Sequence, residues 1–597
     1  MTTYTAPIKD MQFALRELAG LEGIARLPGY EEATGDLVDS VLDGAATFAA
    51  EVWGPLNATG DAEGLKWHDG EVTTPKGFID AYRQFVESGW NGLRFPVEFG
   101  GQGLPKLVDT AVMEMWNASN MAFSMAPLLT QGAIEAVLLR GNDAQKQSYL
   151  HKMVSGEWTG TMNLTEPQAG SDLGLLRAKA VPEGAHYRIF GQKIFISFGE
   201  HDLTDNIIHL VLARTPDAPE GVKGISLFVV PKFVVNDDGS LGERNDVRCA
   251  SIEHKLGIHA SPTAVLAFGD GPGAIGYLLG EENRGLETMF IMMNEARFGV
   301  GVQGLAVADR AYQQALAYAR DRVQGKDATA PKAPSVPIIR HPDVRRMLMS
   351  MKSRVEAMRA LAYVVAAMID QAHHHPDTDV RAQAQAGVDL LIPILKGWCT
   401  ETGVEVASTG IQIHGGNGFI EETGAAQHLR DARITAIYEG TTGIQANDLV
   451  GRKVLREGGR SMHALIAQID ALGETLAGED ALALRAIAGR LRDGARAMSE
   501  AVDWILATGA SDLNAVLSGA VPFLHLCGVV CGGWQMARAA QVAQRKLDAG
   551  DGDSAFHHAK IATARFFADQ DLSRARGLAD AAIHAGASTM ALAEADF

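Results

Sequence analysis

Ile-Tyr-Glu-Gly-Thr-Thr-Gly-Ile-Gln, residues 437–445, is the most informative stretch of this 597-residue chain. It places a single carboxylate, that of Glu439, directly before a glycine and between an apolar segment and a run of small and hydroxyl-bearing residues. Two other segments lie upstream: Thr-Glu-Pro-Gln-Ala-Gly-Ser-Asp at residues 165–172, and Gln-Ile-His-Gly-Gly-Asn-Gly-Phe at residues 412–419. A lone glutamate is usually a solvated side chain, so the interest of Glu439 depends on these two glycine-containing segments.

Length and composition exclude several classes of protein. With 47% hydrophobic and 21% charged residues, the chain has the composition of a globular protein, and its length suggests three or four domains. A formal net charge of −19 disfavours nucleic acid and anionic membrane surfaces as partners. The N-terminus lacks a signal-peptide pattern. The most apolar stretch, residues 520–534, is short and interrupted by Pro, His and Gly, so we expect no stable membrane insertion.

The cysteines and histidines predict no metal site. None of the four cysteines forms a CxxC pair, and so few cysteines suit a reducing compartment, which predicts a cytoplasmic protein. Three consecutive histidines, residues 373–375, resemble a zinc-binding tract. Because Pro376 follows them, a solvated helix end is the better interpretation.

The spacing of apolar residues changes along the chain and predicts an α+β multidomain protein. After a mixed leader at residues 1–34, helical spacing dominates residues 35–158, and short alternating runs at 159–280 predict an antiparallel β-barrel or sandwich. Helical spacing returns at residues 281–455 as a bundle that contains Glu439. Residues 456–597, rich in alanine and poor in β-forming residues, predict an extra helical domain.

Individual elements are predicted most clearly in the middle of the chain. Predicted strands are residues 187–198, 207–213, 225–230 and 263–268. Predicted helices are residues 285–321, 343–369 and 380–409.

Residues 165–172, 412–419 and 437–445, in this order and spacing, resemble the acyl-CoA dehydrogenase flavoprotein family. The resemblance covers about residues 35–455. It implies the family's fold and the α,β-dehydrogenation of an acyl-CoA thioester to its trans-2-enoyl-CoA. It also implies FAD as the hydride acceptor and electron-transfer flavoprotein as the electron acceptor. A Rossmann fingerprint for a nicotinamide is absent, since the glycine-rich residues 299–304 do not lie between a strand and a helix.

Glu439 is the general base that the resemblance implies. Some relatives carry the base on an earlier helix, at the position that here is Ala296, while the adjacent Glu295 is expected to face another side of that helix. Gly440 permits a sharp turn and leaves a main-chain amide to polarise the substrate carbonyl, which makes the α proton removable. The resemblance places five residues against the acyl-CoA: Ser171, Asn294, Arg297, Glu439 and Gly440.

The same resemblance assigns the FAD contacts. The matched residues are Met162, Leu164, Thr165, Gly170, Ser171, Phe195, Ile196, Ser197, Arg322, Gln412, Ile413, His414, Gly415, Gly416 and Thr441. Thr165 would bond the polar edge of the flavin, Phe195 would cover it, and Arg322 would pair with the pyrophosphate. A plain turn at 165–172 and an alternating strand at 195–197 would explain those two segments equally well.

The chain departs from the family pattern at three places. Gln168 stands where relatives usually have glycine, and His414 replaces an aromatic residue. The aromatic residue usual between Gln324 and Gly325 is missing, so FAD contacts after Arg322 are not assigned.

Assembly and substrate follow from the resemblance alone. In relatives, the segment matching residues 412–416 often completes the FAD site of a neighbouring subunit, so we expect a homo-oligomer, with a dimer favoured over a tetramer. The chain length and the extra helical domain are typical of a longer bacterial subgroup, which favours 3-(methylthio)propanoyl-CoA as the substrate and 3-(methylthio)acryloyl-CoA as the product. A medium- or long-chain fatty acyl-CoA is the alternative substrate, and an acyl-CoA oxidase is the alternative activity.

Overall fold

A computed structural model describes residues 4–597, so the first three residues of the predicted leader lie outside the described part of the chain. The described residues form two compact units. Residues 47–104 and 119–299 make up the first, called the β unit below. The second, called the helical unit, comprises residues 4–46, 105–118 and 300–597. The domain boundaries predicted at residues 34, 158, 280 and 455 stay predictions.

Helices dominate the first 157 residues. They are α1 (Ile8–Phe13), α2 (Leu21–Ile24), α3 (Gly35–Phe48), α4 (Gly54–Glu63), α5 (Phe78–Glu87), α6 (Lys106–Arg140) and α7 (Asp143–Ser155). Helix α6 is interrupted at Asn120, whose φ of −157° and ψ of 88° are not helical. The side chain of Asn120 accepts a hydrogen bond from the Phe123 amide (3.1 Å) and so caps the second half of the helix.

The β unit contains an eight-stranded sheet and two small antiparallel pairs, β1-β2 and β8-β9. The strands are β1 (Lys66–His68), β2 (Glu71–Thr73), β3 (Trp158–Asn163), β4 (Lys179–Glu183), β5 (His186–Ser197), β6 (Asn206–Ala213), β7 (Ser226–Pro231), β8 (Phe233–Val235), β9 (Leu241–Arg244), β10 (Val247–Ile252), β11 (Thr263–Phe268) and β12 (Ala274–Leu278). The large sheet has the order β10-β11-β5-β12-β7-β6-β3, with β4 paired to β5. The four predicted strands are confirmed as β5, β6, β7 and β11.

One pairing differs from the antiparallel prediction. Strands β3 and β6 run parallel, with Trp158 opposite Asn206, whereas the other pairings of the large sheet are antiparallel. A parallel pair needs a long crossover, and the chain between these two strands supplies it by passing through β4 and β5.

Strand β3 was not predicted because most of its buried side chains are polar. Its Thr159 hydroxyl lies 2.9 Å from His201 Nε2, and its Thr161 hydroxyl lies 2.7 Å from His209 Nδ1. Burial lowers the pKa of both histidines to about 3, so each ring is neutral at physiological pH. Hydrogen bonds with neutral histidines therefore satisfy the buried threonine hydroxyls of a strand that lacks alternating apolar residues.

The remaining helices belong to the helical unit, except that residues 285–299 of the first of them lie in the β unit. They are α8 (Gly285–Asp321), α9 (Pro342–His374), α10 (Thr378–His414), α11 (Ala425–Thr435), α12 (Thr442–Asp448), α13 (Arg460–Ala477), α14 (Leu482–Thr508), α15 (Leu513–Ser518), α16 (Ala520–Ala549), α17 (Ser554–Gln570) and α18 (Ala575–Thr589). The three predicted helices are confirmed as α8, α9 and α10. A Cβ on Gly304 of α8 would lie 2.5 Å from the Cys399 carbonyl oxygen of α10, so this glycine serves close helix packing.

Helix α16 packs on α10 with similar closeness. A Cβ on Gly528 would lie 2.1 Å from Trp398 Cγ, and a Cβ on Gly532 would lie 2.6 Å from Trp398 Cη2. The prediction that this apolar stretch is too short and interrupted was wrong, because Pro522 lies in the first turn and the helix continues for 30 residues. By length and composition α6 and α16 could each cross a membrane, but 83% and 78% of their apolar windows are buried inside the protein.

The leader packs through buried charges. Asp10 of α1 forms ion pairs with Lys560 of α17 and with Arg359 of α9 (2.5 Å). Arg359 also contacts Glu114 at 2.6 Å. The histidine tract ends α9, and His374 Nδ1 donates to the Pro28 carbonyl oxygen (3.2 Å). Among residues 4–597, no cluster of three or more His, Cys, Asp or Glu side chains is arranged to hold a metal.

Candidate active site

Glu439 lies in the short turn between α11 and α12, where the backbone is left-handed. Its φ is 56°, and Gly440 continues the turn with a φ of 93°. A glutamate adopts this conformation only at a cost in free energy, and such residues concentrate at functional sites. The side chain of Glu439 is half-buried. Thr441, the N-cap of α12, is exposed and accepts a hydrogen bond from the Ile444 amide (3.3 Å).

Side chains from two helices hold the carbonyl groups of this turn. Gln445 Nε2 donates to the Glu439 carbonyl oxygen (3.1 Å), and Lys396 Nζ of α10 donates to the Gly440 carbonyl oxygen (2.6 Å). Lys396 is fully buried. Neither Lys396 nor Gln445 was predicted from the sequence to have a role. A single lysine within the apolar run Ile-Leu-Lys-Gly-Trp at residues 394–398 was the signal that could have identified the first.

The residue before Glu439 anchors the turn on its other side. The hydroxyl of Tyr438 donates to Gln303 Oε1 of α8. Burial, and after it the charge of Glu439, raises the pKa of this phenol well above its ordinary value. Tyr438 is therefore a neutral hydrogen-bond donor at every physiological pH.

In the β unit, a buried ion pair organises residues 162–172, called the flavin loop below after the FAD contact predicted for it. Glu166 accepts a hydrogen bond from Lys193 Nζ of β5 (2.9 Å) and others from the main-chain amides of Arg177 (2.7 Å) and Ala178 (3.0 Å). Burial alone would raise the pKa of Glu166, but Lys193 and these amides lower it. Burial lowers the pKa of Lys193 to about 8. Lys193 Nζ also donates to the Leu164 carbonyl oxygen (3.0 Å).

The flavin loop and residues 195–197 meet through the main chain, since the Ile194 amide donates to the Thr165 carbonyl oxygen (2.9 Å). Here β5 contains a bulge, with Ile194 and Phe195 together opposite one residue of β11. Phe195 has a φ of 60° and is 60% exposed. The alternative of a regular alternating strand at residues 195–197 is therefore wrong at Phe195, because the bulge interrupts the alternation there and leaves this side chain exposed. Ile196 is buried and Ser197 is half-buried.

The remaining predicted residues of the flavin loop are accessible. Met162, Leu164 and Thr165 are half-buried, and Gly170 and Ser171 are exposed. Gln168, which replaces the family's glycine, donates through Nε2 to Glu166 Oε2 (2.6 Å). The substitution therefore braces the loop from within.

The predicted substrate residues on the first part of α8 differ in exposure. Arg297 is buried, with its guanidinium carbon 6.0 Å from the centroid of the Phe290 ring, and Asn294 is exposed. Glu295 forms an ion pair with Arg94 (3.3 Å), which also pairs with Glu135 (2.9 Å). This pairing occupies Glu295 in a role other than that of a base.

The glycine-rich segment after α10 is largely exposed. Gln412, Gly415 and Gly416 face solvent, and Ile413 is buried. His414 is buried, donates through Nδ1 to the Gly410 carbonyl oxygen (2.7 Å), and stacks on Tyr318 with ring centroids 4.5 Å apart. Burial lowers its pKa. Arg322 is exposed just after α8.

Comparison with known proteins identifies the family. Acyl-CoA dehydrogenase models match as the N-terminal domain at residues 39–157, the middle domain at 161–270 and the C-terminal domain at 283–454. An acetyl-CoA dehydrogenase C-terminal-like model matches residues 463–593.

The relatives are similar over nearly their whole length. The chain is 52% identical over 96% of itself and 96% of 3-methylmercaptopropionyl-CoA dehydrogenase from Ruegeria pomeroyi. It is 36% identical to a butyryl-CoA dehydrogenase from Syntrophomonas wolfei over 94% of each chain. The fold is similar, with a TM-score of 0.74 and 21% identity, to an acyl-CoA dehydrogenase from Bacillus anthracis solved with FAD; the match covers 94% of this chain and 90% of that one.

The chain therefore belongs to the acyl-CoA dehydrogenase family, in a form with an extra C-terminal helical domain. Its activity is that of an acyl-CoA dehydrogenase, an FAD-dependent oxidoreductase. The predicted fold class, an N-terminal helical domain, a middle β domain, a helical bundle and further helices, is confirmed.

Proposed function

We propose that the substrate is 3-(methylthio)propanoyl-CoA and that the product is 3-(methylthio)acryloyl-CoA. The observation that carries this proposal is the 52% identity, over nearly the whole of both chains, to 3-methylmercaptopropionyl-CoA dehydrogenase. The butyryl-CoA dehydrogenase match has similar coverage but only 36% identity. Both relatives act on short acyl groups by name, so a short acyl chain is favoured over the medium- or long-chain alternative.

Glu439 is proposed as the base that removes the α proton. Three observations support it: the half-buried carboxylate, the left-handed backbone, and the fixed carbonyl groups on both sides of the turn. The nearest rival, Glu295, is paired with Arg94, and the neighbouring position is Ala296. A carboxylate whose main chain is held in one conformation can point its oxygen at one substrate hydrogen, which is what general-base catalysis requires.

The residues of the flavin loop fit FAD. Asn163 directly precedes Leu164 and Thr165 in the sequence. Its buried Oδ1 accepts no hydrogen bond from any of residues 4–597. Phe195 presents an exposed aromatic ring from a strained backbone, as expected of a side chain that covers a planar ligand. Met162, Thr165, Ser171, Ile196 and Ser197 would complete the contacts on this unit.

The proposed chemistry divides between the cofactor and the chain. When bound, FAD supplies the acceptor for the hydride that leaves the β carbon of the acyl group. Glu439 accepts the α proton on a carboxylate oxygen, and the double bond forms between the α and β carbons. Main-chain amides of the turn stabilise the charge that develops on the thioester oxygen. Asn294 and Arg297 orient the acyl-CoA, and Ser171 donates a hydrogen bond to it.

Assembly, redox partner and location are also proposals. We propose a homodimer in which the segment 412–419 serves the FAD site of the second copy. The proposal is supported by the exposure of its residues Gln412, Gly415, Gly416 and Phe419 (87% exposed), and by that of Arg322. His414 and Ile413 would anchor that segment from below, and Thr441 would contribute from the turn. We expect electron-transfer flavoprotein to reoxidise the enzyme in the cytoplasm.

The decisive experiment is a dye-coupled assay with two matched thioesters, 3-(methylthio)propanoyl-CoA and pentanoyl-CoA. They differ only by a methylene in place of sulfur. We expect kcat/KM to be about tenfold higher for the methylthio substrate, since a shaped apolar pocket discriminates near-isosteres only modestly. A preference for pentanoyl-, butyryl- or octanoyl-CoA would contradict the substrate assignment. Rapid reoxidation of the reduced enzyme by air would instead favour the oxidase.

A further inference from the structure

The geometry of the 439–440 turn leads to a role for Lys396, and the inference rests on the proposed function of Glu439 as the base. Left-handed backbone at Glu439 is disfavoured for a side chain with a Cβ, so the turn needs partners that select it. Two are present: Gln445 on the Glu439 carbonyl (3.1 Å) and Lys396 on the Gly440 carbonyl (2.6 Å). Gln445 belongs to the same local segment, whereas Lys396 comes from α10.

Lys396 is held firmly enough to act as a fixed support. Its ammonium-bearing side chain is fully buried, where a cation is costly unless its donors are satisfied. The flanking residues are closely packed: a Cβ on Gly397 would lie 2.7 Å from Leu524 of α16, and Leu395 lies 2.9 Å from where a Cβ of Gly301 would stand. Movement of Lys396 would therefore require α10 to shift against two neighbouring helices.

A charged donor is a stronger partner for a carbonyl oxygen than a neutral one. Thr442, in the first turn of α12, is tied to the same helix because its hydroxyl donates to Glu401 Oε1 (2.6 Å). Helix α10 thus holds the turn just after Glu439 at two points, through Lys396 and Glu401. We propose that Lys396 is a positioning residue for acyl-CoA dehydrogenation, which fixes the Glu439–Gly440 backbone through the Gly440 carbonyl and so orients the carboxylate that takes the α proton.

The test is Lys396→Met in the full-length, FAD-loaded enzyme, followed by stopped-flow reduction of the flavin. The methionine fills the site without a donor, so we expect the rate at saturating substrate to fall about 100-fold, as for a misplaced catalytic group. KM and FAD content should stay within about threefold of the wild-type values. Lys396→Gln keeps a buried donor without the charge, and we expect it to recover part of the rate. This variant also covers the case in which the methionine protein does not fold.

Two controls separate positioning from general stability. Lys560→Met removes another buried lysine of the helical unit, one paired with Asp10 and Glu356 (3.0 Å), and should lower thermal stability while leaving the reduction rate unchanged. In a Glu439→Gln background, Lys396→Met should cause no further loss if it acts through Glu439. If both Lys396 variants reduce flavin at the wild-type rate while Glu439→Gln does not, the Lys396 inference is wrong and the proposed base stands. Full activity of Glu439→Gln would overturn the base itself.

Discussion

Two buried lysines, one in each unit, support the two predicted functional segments in different ways. Lys193 of the β unit and Lys396 of the helical unit are both fully buried, and each donates to a main-chain carbonyl, of Leu164 (3.0 Å) and Gly440 (2.6 Å) respectively. Lys193 also pairs with Glu166 of the loop it supports, at 2.9 Å. Lys396 reaches across from α10 to a turn 44 residues away in sequence.

The difference indicates two separate tasks. The Lys193–Glu166 pair keeps opposite charges together in the core, and Glu166 uses its remaining capacity on the amides of Arg177 and Ala178. Its loss should disorder the flavin loop. The bond from Lys396 selects one backbone conformation of a short turn, and its loss should leave the fold intact but misdirect Glu439. The order of the flavin loop and the orientation of the Glu439 carboxylate can therefore be measured independently.

The largest expected effect on the rate of flavin reduction comes from substitution of Glu439, the residue that Lys396 is proposed to position. Glu439→Gln is nearly isosteric but cannot accept a proton, so flavin reduction should fall by about three to five powers of ten with substrate and FAD binding retained. Stopped-flow single turnovers measure this rate. The matched control is Glu295→Gln, which should cost less than about tenfold because Glu295 is held by Arg94. A dead Glu295 variant beside an active Glu439 variant would reverse the assignment.

Lys193→Met tests the other side of the comparison. It leaves the carboxylate of Glu166 buried without its cation, which should destabilise the β unit by about 3–5 kcal/mol and reduce FAD content. The rate of reduction per bound flavin should remain within a few-fold of wild type, opposite to the pattern expected for Lys396→Met. Urea unfolding and flavin absorbance provide the two measurements. If Lys193→Met keeps its stability and its FAD but loses its rate of flavin reduction, the two lysines do not have distinct roles.

Acid should weaken the sheet that carries the flavin loop before it affects the Lys193–Glu166 pair. The folded pKa of His201 and His209 is about 3, below the ordinary value of 6.5, so the unfolded chain binds their protons first. The stability they provide is complete above pH 6.5 and is lost as the pH falls below it, by about 2 kcal/mol for each histidine between pH 7 and pH 5. Glu166, whose pKa is lowered, stays ionised over this range.

His209→Asn checks the sign and the source of this dependence. Asparagine can still face the Thr161 hydroxyl but does not titrate, so the loss of stability between pH 7 and pH 5 should shrink by about 2 kcal/mol, the contribution of one histidine. Urea midpoints at several pH values give the slope. An unchanged slope would assign the acid sensitivity to other groups.

Much of the fold follows from local sequence patterns. Helix α8 begins and ends at the predicted residues, 285 and 321, because its helical spacing is continuous and its glycines are accommodated by packing on α10. Strands β6 and β7 are apolar runs between turns and were predicted within a residue. Strand β3 was missed because its buried threonines look unsuited to a core strand in the sequence. Their hydrogen-bond partners, His201 and His209, are brought near only in the folded chain.

The candidate site was predictable only in part. The motif around Glu439 identified the residue but not its left-handed backbone, which depends on donors from α10 and α12. Alternation predicted Phe195 in a regular strand, whereas the bulge opposite β11 exposes it. Glu166 was noted only as part of a motif and Gln168 only as a departure from the family's glycine, because their hydrogen bonds within the loop depend on the three-dimensional arrangement. The site assignments themselves remain predictions.

The fit of Trp398 against Gly528 and Gly532 makes the bundle depend on the extra helical domain. The indole on α10 and the two glycines on α16 are mutually dependent, because a Cβ at either glycine would overlap the ring. A larger residue at Gly528 or Gly532 would require Trp398 to move, and Trp398, which is buried, depends on α16 for part of its cover. Removal of residues 456–597 would uncover Trp398, so simple truncation of the extra helices is disfavoured.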